Sequence, residues 1–272
     1  MDIKVVIATH KKYQMPKDEM YLPVFVGAFG KDNIEDNGRI YQRDDEGDNI
    51  SELNPYFCEL TGLYWAWKNL KADYIGLAHY RRHFSLHPHN KNKWTAILQQ
   101  KEIEKKLGTI KVFVPKKRWY YIETLYSHYS HTHYASQLDE TRKIIAERYP
   151  EYVISFDKAV NQRWGYMFNM MIMEKHLFDS YCIWLFDILF ELRGRIGKEA
   201  ENNLDKFQGR FYGRISEIIF NVWLLEQQKS GMIKTSEILE IPFIHMEDIN
   251  WWKKGGAFLK AKFRGKKYTG SF

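Results

Sequence analysis

The stretch Asp73-Tyr-Ile-Gly-Leu-Ala-His-Tyr-Arg-Arg constrains this chain more than any other. Its apolar and small residues, Tyr74 to Ala78, run without a spacer into His79, Tyr80, Arg81 and Arg82. An unbroken apolar run of that length reads as a strand covered on both faces. Two adjacent arginines at its end are awkward to bury unless they meet anions, and their planar forks suit phosphate or carboxylate oxygens. The pair either clamps an anionic ligand or makes surface ion pairs with nearby Asp and Glu. Lys4-Val-Val-Ile-Ala-Thr-His-Lys-Lys repeats the pattern. Ligands of open α/β sheets bind beyond the carboxyl ends of the strands, which places Thr9, His10 and Lys11 to touch one.

Further short strands are expected at Tyr21–Val26, Ile110–Val114 and Tyr166–Met173. A helix is expected to open at Asn54-Pro55, where Pro55 suits the first turn, and to run to Lys68. Others are expected over Lys93–Leu107 with Asn92 as N-cap, and over Leu138–Tyr149, Lys175–Ile196 and Ile215–Gln228. Strands alternating with helices predict an α/β fold, with a central mixed, mostly parallel sheet flanked by helices. No linker or repeat interrupts it. The expected organisation is one domain, residues 1–248, and a tail, residues 249–272.

Charge separates these two parts. The chain has 41 Lys+Arg against 34 Asp+Glu. The tail holds Lys253, Lys254, Lys260, Lys262, Arg264, Lys266 and Lys267 and no acid, so the body is balanced at 34 against 34. A neutral body argues against a nucleic-acid-binding protein. The tail interleaves its cations with Trp251, Trp252, Phe258, Phe263 and Tyr268. That mixture suits an anionic membrane surface or a phosphate-bearing acceptor, and equally a solvated tail. Two cysteines cannot make a disulfide scaffold and fit a reducing compartment. No apolar window is long enough to span a bilayer, and the first residues read as a strand and not as a secretion signal. The expected location is cytoplasmic, with the tail resting on the inner face of the plasma membrane.

Polar residues in apolar surroundings are the remaining candidates. Glu59 lies in the Tyr56–Trp67 segment near Trp65, an acid and an aromatic face as in carbohydrate sites; it is either a ligand group or a paired buried acid. Asn169, in Tyr166-Met-Phe-Asn-Met-Met-Ile-Met, needs a partner, and a substrate hydroxyl is one candidate. Glu217 is either a charge favoured by a helix N-terminus or a general base at the mouth of a site. His79, His83, His87 and His89 form one histidine group and His128, His131 and His133 another. Zinc needs three or four converging ligands, and Pro88 makes one continuous helical face doubtful, so sugar or phosphate contacts, packing or surface roles are preferred.

These motifs resemble the DUF4422 family, bacterial glycosyltransferases of capsule and exopolysaccharide gene clusters. The resemblance is carried by Val6-Ile-Ala-Thr-His-Lys, Asn54-Pro-Tyr-Phe-Cys-Glu-Leu-Thr-Gly-Leu-Tyr-Trp-Ala-Trp-Lys-Asn and Tyr74-Ile-Gly-Leu-Ala-His-Tyr-Arg-Arg-His-Phe. Phe168-Asn-Met-Met-Ile-Met, Tyr181-Cys-Ile-Trp-Leu-Phe and Gly213-Arg-Ile-Ser-Glu extend it over nearly the whole chain. The resemblance implies a GT-A-like nucleotide-sugar fold and transfer of a hexose, galactofuranose or galactose, from a UDP-sugar donor to a lipid-linked or oligosaccharide acceptor. On that reading Glu217, Arg81 and Arg82 are catalytic, Glu217 as base of an inverting reaction. Thr9, His10, Lys11, Glu59, Trp65, His79, Tyr80 and Asn169 bind the nucleotide sugar. GT-A enzymes usually carry an Asp-x-Asp that holds a divalent metal, but Ala78-His79-Tyr80 stands in its place. The expectation is that arginines replace the metal's charge, with dependence on Mg or Mn left open. The rival reading is a non-catalytic carbohydrate- or membrane-binding module.

Overall fold

The structure is a computed structural model that describes residues 1–248, the side chains of residues 199 and 200 excepted. The expected membrane-binding tail, with all its basic and aromatic residues, lies outside the described residues.

A nine-stranded sheet forms the centre. Its strands are β1 (Ile3–Thr9), β2 (Tyr21–Phe25), β3 (Gln42–Arg43), β4 (Tyr74–His79), β5 (Arg82–Phe84), β6 (Val112–Pro115), β7 (Met171–Glu174), β8 (Ile238–Ile241) and β9 (Phe243–His245). The spatial order is β8-β6-β7-β4-β1-β2-β3, with β5 and β9 extending from β4. Along that path β7 alone runs against its neighbours. The sheet is therefore mixed and mostly parallel, as expected. In the β1–β4 register Ala8 lies opposite His79, so both strands deliver their polar ends to one edge.

Alternate β1 residues serve two cores: Val6 and Ala8 face one side, Ile3, Val5 and Ile7 the other. The helices that frame the cores and the cleft are α1 (Asn54–Phe57), α2 (Leu60–Asn69), α3 (Leu125–Thr132), α4 (Ala135–Arg148), α5 (Val153–Val160), α6 (Lys175–Leu192) and α7 (Phe211–Lys229). Helices α2, α4, α5, α6 and α7 all contribute to the first core. Each Leu, Ile or Phe buried there stabilises the fold by roughly 1.5–3 kcal/mol. Trp223 and Tyr181, fully buried, pack edge-to-face between α7 and α6. At Gly76 an added Cβ would stand 2.6 Å from the Met171 carbonyl oxygen, so a side chain there would push β7 off β4.

Asp44, fully buried, pins the loop that follows β2. It accepts the Gly27 and Ala28 amides at 2.8 and 3.0 Å and the Thr61 hydroxyl at 2.6 Å, with Ser51 as a fourth donor.

Three expected elements come out differently. The helix over 55–68 breaks at Cys58, whose φ of 53° ends α1. Asn54 heals the break by donating to the Cys58 carbonyl at 2.8 Å. The helix over 93–107 does not form as one piece: residues 93–96 are turns, and only Gln100–Ile103 is α-helical. Asn92 does accept from the Trp94 amide at 3.0 Å, but Leu98 then pairs its amide with Phe84, which ends helical continuation. The strand expected over 166–173 is shortened to β7 because Phe168 and Asn169 take left-handed backbone angles.

Candidate active site

A cleft of about 580 Å³ lies beyond the carboxyl ends of β1 and β4. Its walls come from His10 after β1, Lys31 after β2, Cys58 and Glu59 between α1 and α2, and His79 to Arg82 at the end of β4. Arg118 and Tyr120, α3 and the start of α7 close it. Because β7 is antiparallel, its beginning meets the end of β4: the His79 ring nitrogen Nε2 hydrogen-bonds the Phe168 carbonyl at 2.9 Å.

The lining is strongly cationic. Lys31, Arg81, Arg82, Arg118, Lys206, Arg210 and Arg214 face two acids, Glu59 and Glu217. Among the described residues only Arg81 of the seven is ion-paired, with Glu247 at 3.4 Å and both groups half exposed. Arg82 stacks on the Phe168 ring at 4.6 Å and Arg214 on the Phe207 ring at 4.1 Å. The Nε of each is buried and has no hydrogen-bond partner. Burial pulls both guanidinium groups below the usual arginine range. Buried donors without partners are costly, and an anionic ligand would satisfy these. Cations also crowd His10, whose pKa is lowered by burial and then by Lys11, Arg210, Arg81 and Lys31.

Glu217 stands one turn along α7 from Arg214. Burial raises its carboxyl to about 7; the Glu59 carboxylate adds to the rise, and Arg214, Arg82 and Arg118 oppose it. A carboxyl with that affinity exchanges protons near neutral pH, the property a general base needs.

Asn169 holds the floor together. Its amide donates to Glu59 at 2.7 Å and to the Gly213 carbonyl at 2.9 Å. Strain collects here: Cys58, Phe168 and Asn169 have φ of 53°, 75° and 51°. Such backbone persists only where the surroundings over-determine it, and it concentrates at functional sites.

The second histidine group is tied down by protein partners. Glu123, almost fully buried, is hydrogen-bonded by His128 at 2.8 Å and His131 at 2.7 Å. Burial holds His128 down, to about 4, against the pull of Glu123. His133 pairs with Gln208 at 2.7 Å.

The structure brings His10, Glu59, His79, Tyr80, Arg81, Arg82 and Glu217 into the lining, with Asn169 directly behind Glu59. Three candidates fall elsewhere. Trp65 is in the core, its ring nitrogen donating to the Glu46 carbonyl at 3.0 Å, because α2 turns that face toward the sheet. Thr9 is fully buried and spends its hydroxyl on the Lys11 carbonyl at 2.7 Å. Lys11 lies over the Tyr13 and Tyr80 rings at 5.7 and 5.3 Å. Lys31, Arg118, Lys206, Arg210 and Arg214 were not anticipated. For Arg214 a signal existed, since it precedes Glu217 by three residues on one helix face.

The donors do not fit a divalent cation. Hard metals take several oxygen ligands. Among the described residues no group of three His, Cys, Asp or Glu side chains is placed to hold one. One of the cleft's two carboxylates, Glu59, is engaged by Asn169, and arginines surround the other.

A search of curated proteins gives no match to the chain. Among solved structures it is similar to the WbbM bifunctional glycosyltransferase in its apo form, with a TM-score of 0.80 and 29% identity. The similarity covers 91% of this chain and 46% of that one, so this chain spans just under half of that protein. The family described as "Domain of unknown function (DUF4422)" matches residues 4–229, and over that span this chain belongs to the DUF4422 family.

Proposed function

We propose that this protein is a glycosyltransferase that moves a hexose from a UDP-sugar to a hydroxyl of a lipid-linked or oligosaccharide acceptor, with inversion. The observation that carries the reading is a carboxyl raised to about 7 among three guanidinium groups, two of which have buried nitrogens without partners. The likeness to a glycosyltransferase supports it.

In the proposed step Glu217 takes the acceptor hydroxyl's proton as that oxygen attacks the anomeric carbon. The new C–O bond forms while the bond to the diphosphate oxygen breaks, and UDP leaves with the electron pair. Arg82, with Arg81 at the cleft mouth, stabilises the charge growing on the leaving diphosphate, and Arg118 and Arg214 add to that field. Fixed cations aimed at developing charge are often the largest catalytic contribution. His10, His79 and Tyr80 contact the nucleotide sugar, while Thr9, Lys11 and Trp65 support the site from behind. The family resemblance favours galactofuranose or galactose as the hexose. The tail of residues 249–272 brings the enzyme to an anionic membrane surface where a lipid-linked acceptor resides.

Titration of UDP and a panel of UDP-hexoses by calorimetry, followed by a transfer assay on the donors that bind, tests the proposal. Binding of UDP with transfer abolished in Glu217→Gln is expected. A protein that binds glycans or vesicles but no nucleotide would be a carbohydrate- or membrane-binding module.

A further inference from the structure

We propose that Glu59 is a positioning residue that acts on the reaction through Glu217, as a fixed negative charge held beside the base, and not as a group that binds the sugar. The assignment rests on the reading of Glu217 as the base.

The geometry begins with Asn169. One amide group joins the Glu59 carboxylate, at 2.7 Å, to the Gly213 carbonyl, at 2.9 Å. Gly213 lies in the first turn of α7, one turn before Glu217, so the same side chain fastens Glu59 to the helix that carries the base. The carboxylate abuts that turn: a Cβ built on Gly213 would lie 3.7 Å from Glu59 Oε1. The left-handed residue Cys58 aims Glu59 inward, and left-handed Phe168 and Asn169 aim the amide at it. Strain at three joints that converge on one carboxylate indicates a position the fold is built to hold.

The need for such a charge follows from the arginines. Arg214 on α7, Arg82 after β4 and Arg118 beside β6 all favour the ionised form of Glu217. They suit a diphosphate, and they work against burial, which is the largest cause of the raised Glu217 carboxyl. Glu59 opposes them. His79 lies 3.8 Å from Glu59, but burial lowers its pKa, so at neutral pH it adds no positive charge that would cancel the effect.

Glu59→Gln tests this, because its amide oxygen can still accept from Asn169 while the charge is gone. The first readout is the titration of carboxyl carbons by NMR in the full chain without substrate, with Glu217→Gln identifying the Glu217 signal. The Glu217 midpoint is expected to fall by about one pH unit or more. The acid limb of kcat/KM should move down with it, so the variant keeps a larger share of its maximal rate at low pH than wild type. UDP affinity should stay within about two-fold. Asn169→Ser, which releases Glu59, should move the midpoint in the same direction and serves if Glu59→Gln does not fold. An unchanged or raised midpoint in a folded variant would overturn the proposal. Undiminished transfer by Glu217→Gln would remove the base itself, and with it the role of Glu59, whatever the titration shows.

Discussion

Replacing Arg82 by methionine separates catalysis from folding. The guanidinium lies 4.6 Å from the Phe168 ring centre, and its buried Nε has no partner. Losing the cation–π contact costs about 0.5–2 kcal/mol. Removing a buried, unsatisfied donor returns about 1–3 kcal/mol. Methionine keeps an apolar stem against Phe168, so the two effects nearly offset and stability should change by no more than about 1 kcal/mol. Turnover should fall by roughly 10²–10³, the usual effect of deleting one donor to a developing charge. Arg82 also holds the Glu217 carboxyl down, so without it the Glu217 pKa rises above its value of about 7 and the acid limb of kcat/KM moves to higher pH. That is opposite in sign to the shift expected for Glu59→Gln. Steady-state kinetics across pH and thermal melts on the same preparation supply the test. Turnover that falls only as far as stability falls, or an acid limb that moves to lower pH, would refute the reasoning.

Other consequences follow from the same groups. The Glu217 carboxyl is raised to about 7 from an ordinary 4.5, so its ionisation weakens the fold at high pH, and the cost disappears as pH falls toward 4.5. Glu217→Gln should therefore melt above wild type at pH 8, with the gap closing toward pH 4.5, which paired thermal scans would show. Asp44→Ala strips buried donors from Gly27, Ala28 and Thr61 of their acceptor, so denaturant titration should show a loss of about 2–4 kcal/mol. Transfer should survive thorough chelation, since the cleft's donors do not fit a divalent cation; activity lost to EDTA and rescued by Mn or Mg would contradict this.

Strands β1, β4 and β6 were legible because each carries an apolar run with a polar or proline end, and β2 because Tyr21–Val26 is apolar throughout. The long helices α6 and α7 were legible from their apolar spacing. The Cys58 break was not, since a left-handed cysteine carries no sequence signal and depends on Asn54 reaching its carbonyl. Trp65 was misplaced for a related reason. Spacing identifies the inward face of α2 but does not tell core from cleft, and that difference is made where the chain turns at Cys58. In the sequence Arg82 stood out as a charge at the end of an apolar run, and Glu217 as an acid near the start of an expected helix. Arg118, Arg210 and Lys206 look like ordinary surface cations in sequence and gain meaning only when loops far apart in the chain meet around one cleft.

The central claim is that this cleft breaks a sugar–diphosphate bond with Glu217 as base. NMR of a UDP-hexose incubated with the protein and a lipid extract as acceptor follows donor, UDP and product together. The account predicts stoichiometric UDP release, a product of inverted anomeric configuration, and neither with Glu217→Gln. A product of retained configuration, or Glu217→Gln turning over at the wild-type rate, would contradict it.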